Sequence, residues 1–153
     1  MSILDTLTTD LTAAMKARDS FRTNTIRQAI AAIRTAEKSG PVAREVTDED
    51  VQKVLASEVK KRRESAQIYA DAGAEDRAAN ETAEADLFET YLPAAVTSEQ
   101  LDALVADAIA STGAASMKDM GTVMKAVNAA AAGVGRVDGK ELSGRVRATL
   151  GAL

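Results

Sequence analysis

Residues 133–142 read GVGRVDGKEL, a stretch of three glycines, two cations and two acids that follows four consecutive alanines. Glycine beside Arg and Lys is what a phosphate-cradling loop needs, because backbone N–H groups reach an anion most closely where no Cβ intervenes. The spacing excludes one version of such a loop. Gly133, Gly135 and Gly139 form G-x-G-x-x-x-G, one residue longer than the dinucleotide fingerprint, and residues 123–132 read as Ala-rich helix where that fingerprint needs a strand. Capping rules offer a second reading. Asp138 fits a helix N-cap, Glu141 its N3 partner in a capping box, and Val137 with Leu142 the N′ and N4 positions of a hydrophobic staple. Gly133 is then placed to end the preceding helix in a left-handed conformation, with Gly135 giving the turn its freedom. Lys140 falls at N2, where a cation opposes the helix dipole by about 0.3–1 kcal/mol. Together with Arg136 and the helix-start N–H groups it forms a candidate phosphate site; the alternative is that both are solvated charges, since Asp138 and Glu141 compensate the same N–H groups.

Other chemistry is narrowed by composition. The chain has no Cys, His or Trp, which removes thiol nucleophiles, Cys/His metal centres, imidazole acid–base catalysis and disulfides. Carboxylate, Lys, Tyr and Ser chemistry remains. The acids at Asp48, Glu49, Asp50, Glu81, Glu84, Asp86 and Glu89 read as helix starts and solvent faces, so neither a metal nor a cofactor is expected. Lys60, Lys61, Arg62 and Arg63 lie inside a helical pattern that spreads them around its circumference. Glu58 and Arg62, and Lys60 and Glu64, stand at i,i+4 pairing distance, so a solvated face is expected. Arg27 and Arg34 mark the edge of an isoleucine stripe, and Met117, Met120 and Met124 read as core filling.

Helices must position all of these residues. Apolar positions recur at helical spacing and no segment alternates with period two, so the class is all-α: an N-terminal four-helix region over residues 1–92 and a small C-terminal three-helix domain over 97–153. The first helix starts near Ser2 and presents Ile3, Leu4, Leu7, Leu11, Ala14 and Met15. The second, capped at Asp19 and Ser20, presents Ile26, Ala29, Ile30 and Ile33 and stops at Gly40 and Pro41. Thr47 and Asp50 begin a long third helix with Val51, Val54, Leu55, Val59, Ile68 and Tyr69 inward, ended by Gly73. The fourth spans about 75–91. Thr97 and Gln100 begin the fifth, a sixth follows from Ser116, and a seventh from Asp138. Aromatics are 3% of residues, which suits closely packed helices. No signal pattern or membrane-length apolar run is present, and a cytoplasmic protein is expected. Net charge is −4, yet residues 113–153 carry six Lys/Arg against three Asp/Glu.

Several segments in register resemble the GatB/YqeY family, specifically its stand-alone YqeY-like proteins. They are Ala14, Met15 and Lys16 with Asp19 and Arg22; Thr25 to Arg27; Val59 to Ser65; Glu89 to Pro93; Lys118 to Lys125; and Gly135 to Lys140. The resemblance implies a two-part helical protein related to the tail of the GatB subunit of the tRNA-dependent amidotransferase and to a domain of some glutaminyl-tRNA synthetases, which helps hold tRNA by its outer corner. It implies tRNA or a tRNA-charging enzyme as partner, and RNA-binding residues at Lys118, Gly121, Lys125, Gly135, Arg136, Asp138, Gly139 and Lys140. A carbon–nitrogen ligase label with glutamine as amide donor follows the family, although the amidotransferase chemistry resides in other domains and no catalytic residue is expected here. The chain departs from the pattern at Ala94, Ala95 and Thr122, where polar or basic residues are common. Two other readings stand beside this one: a helical protein-interaction adaptor, and an amidotransferase component that needs a partner.

Overall fold

The computed structural model describes residues 1–41 and 44–153, which form seven α-helices and one short 3-10 turn, with no strand among the described residues. The chain divides into two compact units, Met1–Leu92 and Pro93–Leu153. No helix among the described residues is long and apolar enough to cross a membrane.

The first unit holds α1 (Ile3–Lys16), α2 (Ser20–Lys38), α3 (Asp48–Asp71) and α4 (Glu75–Glu89). Local chemistry sets three of the four starts. Ser2 and Asp5 exchange the two hydrogen bonds of a capping box, Asp19 accepts from Arg22 N at 2.9 Å, and Thr47 forms a second box with Asp50. Arg44 also pairs with Asp50 at 2.9 Å, and with the Thr47 contacts it holds that carboxyl down at about 2. The ends of α1 and α3 use one motif with different residues. Gly73 is left-handed (φ 75), with Gly73 N donating to Ala70 O and Ala74 N to Tyr69 O; Arg18 is left-handed (φ 57), with Arg18 N donating to Met15 O and Asp19 N to Ala14 O.

The core of this unit gathers Leu7, Ile26, Ile33, Leu55 and Phe88, with Ala29 and Ala85 letting helices approach closely. Tyr69, Ile68 and Met15, all expected inward, do not join it, and Tyr69 instead lies under Arg77. Ile68 is 67% exposed and Met15 51% exposed, because Ala66 and Ala14 take the inward positions next to them on α3 and α1. The Lys60 to Arg63 run also departs from a solvated face. Arg62 is 11% exposed, donates to Glu58 at 2.7 Å, to Glu84 at 2.9 Å and to Gln28 at 2.7 Å, and lies 4.5 Å from the Phe88 ring centre. Arg63 pairs with Asp86 and Glu89. Only Lys60 and Lys61 face solvent.

The second unit holds α5 (Ser98–Thr112), the 3-10 turn Met117–Asp119, α6 (Met120–Ala131) and α7 (Gly139–Gly151). Thr97 and Gln100 form the box that starts α5, and Gly113 ends it at φ 68. Leu101, Val105, Val123, Val127, Leu142 and Val146 form the core. Met120 and Met124 pack against that core, while Met117 is 43% exposed: the helix expected from Ser116 begins as a 3-10 turn, which swings Met117 off the stripe.

Candidate nucleic-acid interface

The segment between α6 and α7 is built by its backbone. At the end of α6, Ala131 O accepts from both Val134 N (2.9 Å) and Gly135 N (3.0 Å). Gly133 does not adopt a left-handed φ, so the two-donor carbonyl performs the turn expected of that glycine. Gly135 is fixed for another reason. The next residue makes an isolated parallel bridge with Ala95: Arg136 N donates to Ala94 O and Arg136 O accepts from Val96 N, both at 2.9 Å. A Cβ on Gly135 would lie 2.6 Å from Ala94 O, closer than any real Cβ contact, so the position demands glycine for close approach. Sequence reasoning missed this pairing. Its one signal is Val96, an apolar residue at N′ of the α5 cap, which packs against the core.

Asp138 caps α7 by accepting from Glu141 N at 2.9 Å. The reciprocal half of the expected box is absent, because Glu141 turns to Arg145 at 3.2 Å. Val137 and Leu142 both join the core, as a staple requires. Lys140 stands two residues before buried Leu142 and is exposed on the outward side of α7. Gly121 and Lys125 are exposed on α6, opposite buried Val123 and Val127. Lys118 is exposed on the 3-10 turn, against which α7 packs. Gly121 and Gly139 have open space where a Cβ would go, so packing gives neither a reason to be glycine.

Arg136 is half-buried, and its Nε is shut off from solvent without a hydrogen-bond partner. Leaving such a donor unmade costs about 1–3 kcal/mol. Of the cations in this unit only Arg145 is ion-paired among the described residues, to Asp102 and Glu141. The acids nearby serve the fold. Asp119 accepts from Ala115 N (2.9 Å) and Ser116 N (3.1 Å), bonds that hold its carboxyl below the usual range, and Asp138 is the α7 cap. Lys118, Lys125, Arg136, Lys140 and Arg147 are left without a carboxylate partner among the described residues.

The family model described as Yqey-like protein matches residues 4–150. The chain belongs to that family. No match was found among curated proteins. The YqeY match spans both units and includes every candidate residue from Lys118 to Lys140.

Proposed function

We propose that this YqeY-like chain is a non-catalytic accessory module that holds folded RNA, with tRNA as the form its family resemblance suggests, through phosphate contacts made by residues 93–153. The observation that carries the reading is Arg136, half-buried and without a carboxylate partner among the described residues, four residues before the exposed Lys140. Its Nε is shut off from solvent, so a phosphate would meet the guanidinium at its terminal nitrogens, and an Arg–phosphate pair is stronger than a neutral hydrogen bond. The remaining unpaired cations supply charge, and the aromatics Phe21, Tyr69, Phe88 and Tyr91 all lie in the other unit. Contact would therefore rest on phosphates and 2′-hydroxyls rather than base stacking.

Binding of bulk tRNA to the full chain across a salt series tests this. Five phosphate contacts give a log–log salt slope of up to about −4. Lys125→Gln and Lys140→Gln are each expected to reduce that slope by about one without altering the melt, since both side chains are exposed. No binding at low salt, or slopes untouched by both substitutions, would defeat the reading. Met117 and Val134, large apolar residues 43% and 48% exposed in the same unit, favour a protein-interaction adaptor as the second reading. Purification with a single protein partner and no RNA would select it.

A further inference from the structure

Residues 1–92 contain eight arginines. Arg22, Arg34, Arg44, Arg62 and Arg63 each sit on a carboxylate, and Arg77 lies over the Tyr69 ring. Arg18 and Arg27 meet no carboxylate among the described residues, and both line one cleft at the α1–α2 corner. That cleft has a volume of about 320 Å³ and is lined by Met15, Arg18, Ser20, Thr23, Asn24 and Arg27, with no acid among them. The nearby carboxylates are engaged elsewhere: Asp19 accepts from Arg22 N, and Asp10 is held by Arg22 and Tyr91. Arg27 has only Met15 Sδ, at 3.8 Å, and a thioether is a weak acceptor.

Two guanidinium groups, two hydroxyls and a carboxamide around one concavity outnumber the oxygens of a carboxylate. They suit a tetrahedral phosphate, whose oxygens take bidentate Arg forks and whose charge offsets both cations. The backbone supports this reading. Arg18 occupies the left-handed position that Gly73 fills in the same motif at the end of α3, so the chain carries a strained arginine where glycine would be relaxed. We propose that the α1–α2 corner binds a phosphate group, with Arg18 and Arg27 as its paired cations and Ser20, Thr23 and Asn24 as neutral donors. The site is separate from the C-terminal RNA contact and does not depend on it. A free phosphorylated small molecule and an RNA phosphodiester present the same group.

An amide-resolved NMR titration of the full chain distinguishes these sources, with inorganic phosphate, a nucleoside monophosphate and bulk tRNA added in parallel at fixed ionic strength. Saturable shifts at Ser20, Thr23 and Asn24 are expected. Arg18→Gln/Arg27→Gln should weaken them at least about tenfold, since it removes both charge-assisted contacts. Lys125→Gln/Lys140→Gln should leave phosphate binding at the corner unchanged, so failure of the RNA reading does not carry over to this one. Shifts with either small ligand assign a free phosphate, and shifts with tRNA alone assign a phosphodiester; both support the site when the arginine double variant loses them. Arg18→Gly separates binding from folding: it should melt no lower than the parent yet lose phosphate affinity. Silence at these amides with all three ligands, shifts that persist in the double variant, or parental affinity in Arg18→Gly would overturn the proposal.

Discussion

Gly135 and Gly139 stand four residues apart in one segment and meet opposite surroundings. At Gly135 the Ala94 carbonyl fills the place of a Cβ, whereas at Gly139 nothing lies within 4 Å. Gly135→Ala should therefore cost roughly 1–3 kcal/mol, as overpacking does, and loosen the pairing of Arg136 with Ala94 and Val96. Gly139→Ala, at the first position of α7, should be neutral or stabilising by up to about 1 kcal/mol. Denaturant unfolding with amide exchange at Val96 and Arg136 checks both. A side chain of another kind governs behaviour at high pH. Burial, then the hydrogen bond to Asp10, pushes the Tyr91 phenol from 10.0 up to about 12. Between those values the folded chain keeps a proton that the unfolded chain releases, so this contribution to stability is complete below about pH 10 and is lost as pH rises through about 12. A tyrosinate absorbance titration should show one late step near the upper value, and Tyr91→Phe should remove it. A late step that persists in Tyr91→Phe would refute the assignment.

Among elements, the joint that ties α2, α3 and α4 is polar. Arg62 spans Gln28, Glu58 and Glu84 and covers the Phe88 ring. Burial raises the Glu58 carboxyl, but Arg62 and Lys61 outweigh it and leave a net lowering. Arg62→Ala would strand two half-buried carboxylates and should cost about 3 kcal/mol, while Arg62→Lys keeps a charge but neither the fork nor the stacking and should fall between. Urea melts of the two variants measure this; equal stability of parent and Arg62→Ala would show that the pair is surface ornament. The sequence disclosed the helices far better than their joints. Thr47 with Asp50 and Thr97 with Gln100 announce helix starts because a cap needs only residues within one turn. Ala14 was legible as an inward residue, but the inward role of Ala66 and the exposure of Ile68 and Met15 depend on which face another helix covers, which hydrophobicity alone misassigns. Beyond its i,i+4 pair with Glu58, the contacts of Arg62 with Gln28 and Glu84, like the Ala95–Arg136 bridge, join residues 22 or more positions apart, beyond the reach of periodicity. In the candidate interface, residue types and the α7 cap were legible. The burial of Arg136 Nε was not, since burial depends on contacts distant in sequence, such as the bridge this residue makes with Ala95.

Across the whole molecule, charge and core are divided alike. Residues 1–92 hold 13 Lys/Arg against 17 Asp/Glu, and residues 93–153 hold six of each, so the acidity lies in the first unit. One buried cluster draws only on Met1–Leu92 and the other only on Pro93–Leu153. A unit of the second one's size buries a smaller fraction of its surface than a full-sized domain and has little stability to spare. Its independence can still be tested by damaging the other core. Phe88 is the largest fully buried side chain, and Phe88→Ala should cost about 3–5 kcal/mol while also removing the ring under Arg62. If each cluster is cooperative by itself, hydrogen exchange accelerates at Leu7, Ile26 and Leu55 while Leu101, Val127 and Val146 keep their protection, and tRNA affinity persists. Equal loss of protection in both clusters would mean that the chain unfolds as one body. RNA binding would then fall along with the Phe88 core, although Lys118, Lys125, Arg136, Lys140 and Arg147 all lie in the other unit.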